Sequence, residues 1–324
     1  NRSVLDPNGD GKVDLRGAFH DAGDHVKFGL PQSYSASTLG WAYYHFKDAF
    51  QSIGEDAHMR EILKWFADYF QRSTFRNASG DVVAFAYQVG EGSEDHTYWG
   101  PPELQDPGKP RKAYFATAET PASDQAAGAA AALALAHINV IGNYLDTARA
   151  LYRFAKQHRG LGYSGGFYGS AYDEDELSWA AVWLYRATND QAYINDIIAV
   201  DASGRYTGWL KRIVASTQDS WQNIWVHCWD TVWGGVFLEL APITNSSQHW
   251  YFARWNLEYW SGIAHEDPND KTFLASTPAG FRVISTWGSA RYNAAAQLQT
   301  LVYRKYTGRT DFTDWARGQM NYIL

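Results

Sequence analysis

The chain has 324 residues, 45% of them apolar, which is long for one domain yet within the range of a single large barrel. It carries 28 Lys and Arg against 35 Asp and Glu, a net charge of −7, with no basic run; this argues against a surface for nucleic acid or for an acidic membrane. The single cysteine, Cys228, excludes an internal disulfide, and the apolar run 126–142, interrupted by Gly128, His137 and Asn139, is too short and polar to span a bilayer.

Aromatics are abundant: 15 Trp, 21 Tyr and 16 Phe make up 16% of the chain. Trp is hard to bury whole because its N–H needs a partner. The excess therefore suggests a stacking surface, for which flat sugar faces are natural partners; a large aromatic core is the alternative. The sequence begins at Asn1 without Met and shows no signal peptide, which reads as a processed or partial chain. A secreted bacterial protein with a core this large needs no disulfide.

In chain order, "DPNGDGKVDLRG" (6–17) comes first and spaces Asp6, Asn8, Asp10, the Lys12 carbonyl and Asp14 like an EF-hand calcium loop. Gly17 stands where the loop needs its bidentate Glu, so a plain Asp/Gly turn is an equal reading. "GAFHDAGDHVKFGLPQSY" (17–34) follows and places Asp21 and Asp24 three apart. Two neighbouring carboxylates can hold a water and take its proton. Gly23 would let the backbone turn so that both face one point; the alternative is helix capping by Asp.

Helical periodicity dominates beyond this point. Helices are predicted over 35–50 (Leu39, Tyr43, Phe46, Phe50), 57–71 (Ile62, Trp65, Phe66, Tyr69, Phe70), 122–141, 144–157, 175–188, 191–198, 207–216, 231–241, 247–262, 287–306 and 311–324. Strand-like alternation is scarce. Helices 122–141 and 287–306 are Ala- and aromatic-rich nearly all round, whereas 57–71 and 144–157 carry charge on one face. Alternating buried and half-exposed helices suit two concentric rings, with loops rich in Gly, Asp and Trp gathered at one end as a cleft. The fold class expected is all-α, an α/α toroid.

"GAFHDAGDHVKFGLP" resembles the "GGWYDAGDHVKFxLP" signature of glycoside hydrolase family 9, the inverting endoglucanases and related cellulases. Five further segments are similar to that family in the same order: "EILKWFADYF" (61–70), "YQVGEGSEDHTYWGPPEL" (87–104), "YDEDELSWAAVWLYRATND" (172–190), "WVHCWDTVWGG" (225–235) and "FRVISTWGSARYNAAAQ" (281–297). The resemblance implies an (α/α)6 barrel, with residues 1–324 as one catalytic domain that lacks the family's first helix and C-terminal segment. It implies Asp24 as general base and Asp21 as the partner that holds the attacking water. His96 would lie beside the scissile bond, with Trp99 in the same loop; a surface loop held by Pro101 and Pro102 is the alternative. Trp225 and Trp287 would stack on sugar rings. Arg291 would line the cleft, sharing a helix face with Trp287 four residues earlier. Tyr168 would sit near the cleaved unit, in a loop about one residue shorter than in relatives. Tyr98 stands where many relatives have Trp.

Asp175, Glu176 and Asp230 match a family calcium site, a chemistry that wants six to eight hard oxygens; N-capping of "DELSW" is the alternative. No organic cofactor is implied. The implied partner is β-1,4-glucan, with carbohydrate-binding or dockerin modules outside this sequence. The family's general acid, a Glu in "NEVAxxYNAGF", has no counterpart in the 324 residues. The expectation is thus an endo-β-1,4-glucanase whose acid lies outside the sequence, or else a barrel that holds glucan without cutting it.

Overall fold

The computed structural model describes residues 5, 12–105, 111–220, 226–285 and 287–324. Two compact units divide the chain, Asn1–Tyr193 and Ile194–Leu324.

The first unit is built around one helix. α1 (Gly29–Ser52) and α2 (Asp56–Arg72) precede a three-stranded antiparallel sheet, β1 (Thr74–Arg76), β2 (Val82–Val89) and β3 (Ala113–Ala116), with β2 in the middle. A short helix, α3 (Gly92–Asp95), lies between β2 and β3. Then come α4 (Ser123–Ile138), α5 (Leu145–Gln157), α6 (Glu174–Thr188) and α7 (Gln191–Ile198), and the unit boundary falls inside α7. Every residue of α4 from Ser123 to Ala136 is buried, and α1, α5 and α6 all pack on it. Its small residues allow this. A Cβ on Gly128 would stand 2.5 Å from Ser33 Oγ of α1. A Cβ on Gly40 of α1 would meet Leu135 Cβ at 3.2 Å.

The sheet was not expected from the sequence. β2, "VVAFAYQV", is buried at six of its eight positions, so it shows no alternation of apolar and polar residues. It pairs Thr74 with Phe85 on one side and Phe85 with Ala116 on the other. The predicted face of 57–71 also needs one correction. Trp65 is half-exposed, at 51%, and donates its indole N–H to the Ala18 carbonyl at 2.7 Å; Leu63 and Ala67 take the buried places beside Phe66, Tyr69 and Phe70.

The second unit holds α8 (Trp233–Thr244), α9 (Ser247–Ser261), α10 (Ser289–Thr307) and α11 (Thr313–Ile323). The helix predicted over 207–216 is only a 3-10 turn, Trp209–Arg212. Residues on both sides of that turn pair as bridges instead, Val200 with Tyr206 and Arg205 with Ser216, around a left-handed Gly204. Val226, Cys228, Trp260, Leu274 and Ala296 form a core cluster in this unit.

Candidate active site

The Asp21–Asp24 stretch is an irregular segment with fixed ends. Lys27 pairs with Val89, its N–H donating to the Val89 carbonyl at 2.9 Å and its carbonyl accepting the Val89 N–H at 3.2 Å. The unexpected sheet therefore anchors the segment. Inside it, the Asp21 N–H donates to the Val26 carbonyl (2.9 Å) and the Asp24 N–H to the Asp21 carbonyl (3.0 Å), which folds both carboxylates into one tight turn.

The left-handed backbone in that turn belongs to Ala22, at φ 33°, and not to Gly23. Gly23 serves close approach: a Cβ there would stand 3.1 Å from Cζ3 of Trp99. The sequence assigned the glycine to the bend, whereas the structure assigns it to the ring. Trp99 itself is 90% exposed, an indole held at the surface beside the turn.

Asp24 is buried, and its Oδ1 accepts the Val26 N–H at 2.7 Å. Burial pushes its pKa above the usual aspartate value. The Asp21 and Asp95 charges push the same way, while the Val26 N–H and His96 oppose them. Asp21 is held differently: its Oδ2 accepts the Tyr168 hydroxyl at 2.5 Å. Tyr168 packs edge-on against Phe28, with ring centres 4.9 Å apart.

His96 sits at the end of α3. Its Nδ1–H donates to the Gly92 carbonyl at 2.7 Å, so Nε2 is the nitrogen that faces Asp24 Oδ2, at 3.6 Å. That is near enough for charge attraction and too long for a hydrogen bond. The ring stacks on Phe167 at 4.7 Å. A Cβ on Gly92 would meet Phe167 Cε2 at 2.4 Å, so this glycine leaves room for the stack.

A clamp absent from the sequence reading holds the two loops together. Asp95 is buried, paired with Arg111 and receiving the Gln105 amide at 3.0 Å. Gln105 Oε1 accepts from His25 Nδ1, and Arg111 donates to the His25 carbonyl at 3.2 Å. The only signal for it was a carboxylate next to His96 in the motif; its partners lie ten and sixteen residues away. The Tyr168 loop is tied down at the start of α4. Asp124 Oδ1 accepts the Gly162 N–H at 2.9 Å, and burial pushes Asp124 up to about 6.

Asp21, Asp24, His96, Trp99 and Tyr168 thus all lie in the first unit, linked through this turn and the loops that face it. Asp175 and Glu176 also lie in the first unit, in the first turn of α6, both buried. Neither oxygen of Glu176 has a hydrogen-bond partner among the described residues. Burial, and then the charge of Asp175, raise its pKa well above the usual glutamate range. A buried, uncompensated carboxylate beside a second one is a donor set that fits a hard cation. Asp230 is half-buried in the second unit. Among the described residues, no three His, Cys, Asp or Glu side chains converge on one point.

Trp287 and Arg291 lie in the second unit and do not share a helix face. α10 starts only at Ser289, and its cap Gly288 turns left-handed at φ 63°, which leaves Trp287 in the loop, 86% exposed. Arg291 lies over the Trp229 ring at 5.2 Å and donates to the Tyr292 hydroxyl at 2.6 Å. Trp225 lies outside the described residues, as do Asp6, Asn8 and Asp10. Of that first loop, Asp14 is engaged by Arg16 at 2.9 Å.

The family profile for Glycosyl hydrolase family 9 matches residues 1–324. Endoglucanase 4 of Bacillus sp. (strain KSM-522) is 32% identical over 99% of this chain and 50% of its own length. The catalytic domain of Clostridium thermocellum CelT superposes with a TM-score of 0.84 at 40% identity, covering 100% of this chain and 68% of that one. The cellulase Cel9M of C. cellulolyticum in complex with cellobiose gives 0.83 at 38% identity, covering 98% and 69%. The chain spans about half the length of the first curated relatives it matches. The all-α, (α/α)6-barrel class expected from the sequence is that of these solved relatives.

Proposed function

The chain belongs to glycosyl hydrolase family 9, and from that premise we propose that it carries the water-activating half of an inverting endo-β-1,4-glucanase, with both compact units parts of one catalytic domain. Asp24 is the base. It takes a proton from a water that Asp21 helps to hold, and that water attacks the anomeric carbon from the face opposite the leaving sugar. Inversion needs an acid roughly 6.5–9.5 Å from the base, with the water between. That role is assigned to the glutamate of the family's acid segment, which has no counterpart in these 324 residues.

One observation carries the reading: a turn holds two carboxylates in different environments, Asp24 buried with a raised pKa and Asp21 fixed by a tyrosine hydroxyl. Splitting two acids by environment is how a site assigns them separate tasks. His96, Trp99, Tyr168, Trp225, Trp287 and Arg291 are proposed to position the glucan. His96 has a second task, drawing Asp24 toward its ionised form.

Asp175 and Glu176, with Asp230, are proposed to hold a structural calcium ion. When bound, the ion would neutralise the buried carboxylates at the start of α6. No organic cofactor takes part. No helix among the described residues is long and apolar enough to cross a membrane. A glucan polymer does not enter cells, so the proposed place of action is extracellular, with accessory carbohydrate-binding or dockerin modules as partners.

The test is Asp24→Asn in the full-length native protein. Cellotetraose turnover should fall by about 10²-fold or more, the scale of a lost general base, with glucan binding and melting temperature retained. Unchanged turnover would refute the assignment.

A further inference from the structure

The second unit contains a cavity of about 750 Å3 between the loop 217–220, the first two turns of α9 and the last turn of α10. Arg291 lies in the first turn of α10 and the lining residues Tyr303 and Thr307 near its end, so at 1.5 Å per residue the cavity lies about 18–24 Å along the helix from Arg291. Of the described second-unit residues proposed to meet the glucan, Trp287 and Arg291, neither lines it.

The charges on its wall are already spent. Arg254 pairs with Glu258 at 2.7 Å and Glu266 at 2.8 Å. Arg309 pairs with Asp311. Asp219 accepts the amide (2.7 Å) and hydroxyl (3.2 Å) of Ser216. Gln248 is committed through both ends, donating to the Ser216 and Asp219 carbonyls (3.0 and 2.7 Å) and accepting the Tyr206 hydroxyl (2.6 Å). A phosphate, a carboxylate or a cation would compete with these pairs. What the cavity offers is neutral: the half-buried Trp250 and Tyr251, and the hydroxyls of Thr217, Ser220 and Ser247. Trp250 is braced from behind by Tyr303, edge-on at 6.0 Å.

An aromatic ring fixed beside hydroxyls and ion-paired side chains recognises a neutral polyol with an apolar ring face. We infer that this cavity is a second saccharide site that holds a β-linked glucan chain without cutting it. The choice of glucan as the saccharide rests on the proposed hydrolase reading; the cavity's chemistry does not. Its effect would be avidity: a polymer engaged at the cavity and the cleft together dissociates more slowly than a short oligosaccharide that fills only one.

The test uses full-length protein carrying Asp24→Asn, so that substrate survives, in affinity gels containing hydroxyethylcellulose. Trp250→Ala removes the ring. Ser247→Trp blocks the cavity from an exposed position and leaves the core intact, which guards against a variant that fails to fold. Both changes should weaken retardation about tenfold, and Trp250→Phe should restore most of it. In the otherwise wild-type protein, Ser247→Trp should leave cellotetraose turnover unchanged. Equal retardation with the cavity open and blocked overturns the second site, whatever turnover shows. Cavity-dependent retardation by a wild-type protein that cuts no glucan would instead overturn the hydrolase reading alone.

Discussion

Tyr168→Phe removes one hydroxyl and nothing else from the proposed site. The ring still packs edge-on against Phe28, so the loop keeps its place. What disappears is the 2.5 Å hydrogen bond to Asp21 Oδ2. A hydrogen bond to a charged group contributes about 1.5–3 kcal/mol. At about 1.4 kcal/mol per tenfold in rate, losing it from the group that holds the water should slow turnover about 10- to 150-fold. Because the role proposed for Asp21 is to hold water and not sugar, kcat should fall while KM stays near the wild-type value. A second signature follows from charge. Asp21 is among the groups that push Asp24 upward, so an Asp21 that swings away should move the acid limb of the rate profile to lower pH. Initial rates on cellotetraose across a pH series, with melting followed by circular dichroism, measure both effects. Turnover within twofold of wild type, at unchanged melting temperature, would show that the hydroxyl does not hold Asp21 for catalysis.

The acid limb itself gives another prediction. As the proposed base, Asp24 would act only when ionised, and burial raises its folded pKa, so kcat/KM should fall as pH drops through a value above the usual 3.8. His96 lowers that pKa, so His96→Ala should shift the limb further upward. The sign for stability is the reverse of the common carboxylate case: the folded state favours protonated Asp24, so stability declines as pH rises through the raised pKa, and Asp24→Asn should not lower the melting temperature at pH 7. For the calcium site, chelation should lower the melting temperature and added calcium restore it. Glu176→Gln should abolish that response in differential scanning calorimetry, and a calcium response equal to wild type would exclude Glu176 as a ligand.

The carboxylate turn, His96 and Tyr168 were legible because each sits in a short contiguous motif, and contiguity is what a sequence displays. Most helices were legible for the same reason, through the period of their apolar faces. The features that were missed depend on partners far along the chain. β2 hides as an apolar run because it is buried on both faces. Asp95 looked like one acid among several until Arg111 and Gln105 came round to it. Gly23 suggested a bend, but the decisive neighbour was an indole seventy-six residues away. Spacing alone also misled at Trp287 and Arg291, since a four-residue interval means a shared face only if the helix has already begun.

The bridge between Lys27 and Val89 has a consequence for how such a site tolerates change. It places the carboxylate turn as a continuation of the sheet, with Asp24 three residues before Lys27. The position of Asp24, the proposed base, is then tied to strand register, which moves only in whole-residue steps. Loop positions that do not touch the carboxylates can exchange aromatics, as Tyr98 has done relative to the family pattern, while Asp24 stays where the strand puts it, whereas Tyr168 is bound to Asp21 and is not free to change. Under the proposed roles, the anchoring of the base and much of the sugar-facing surface belong to separate parts of the chain and can diverge at different rates.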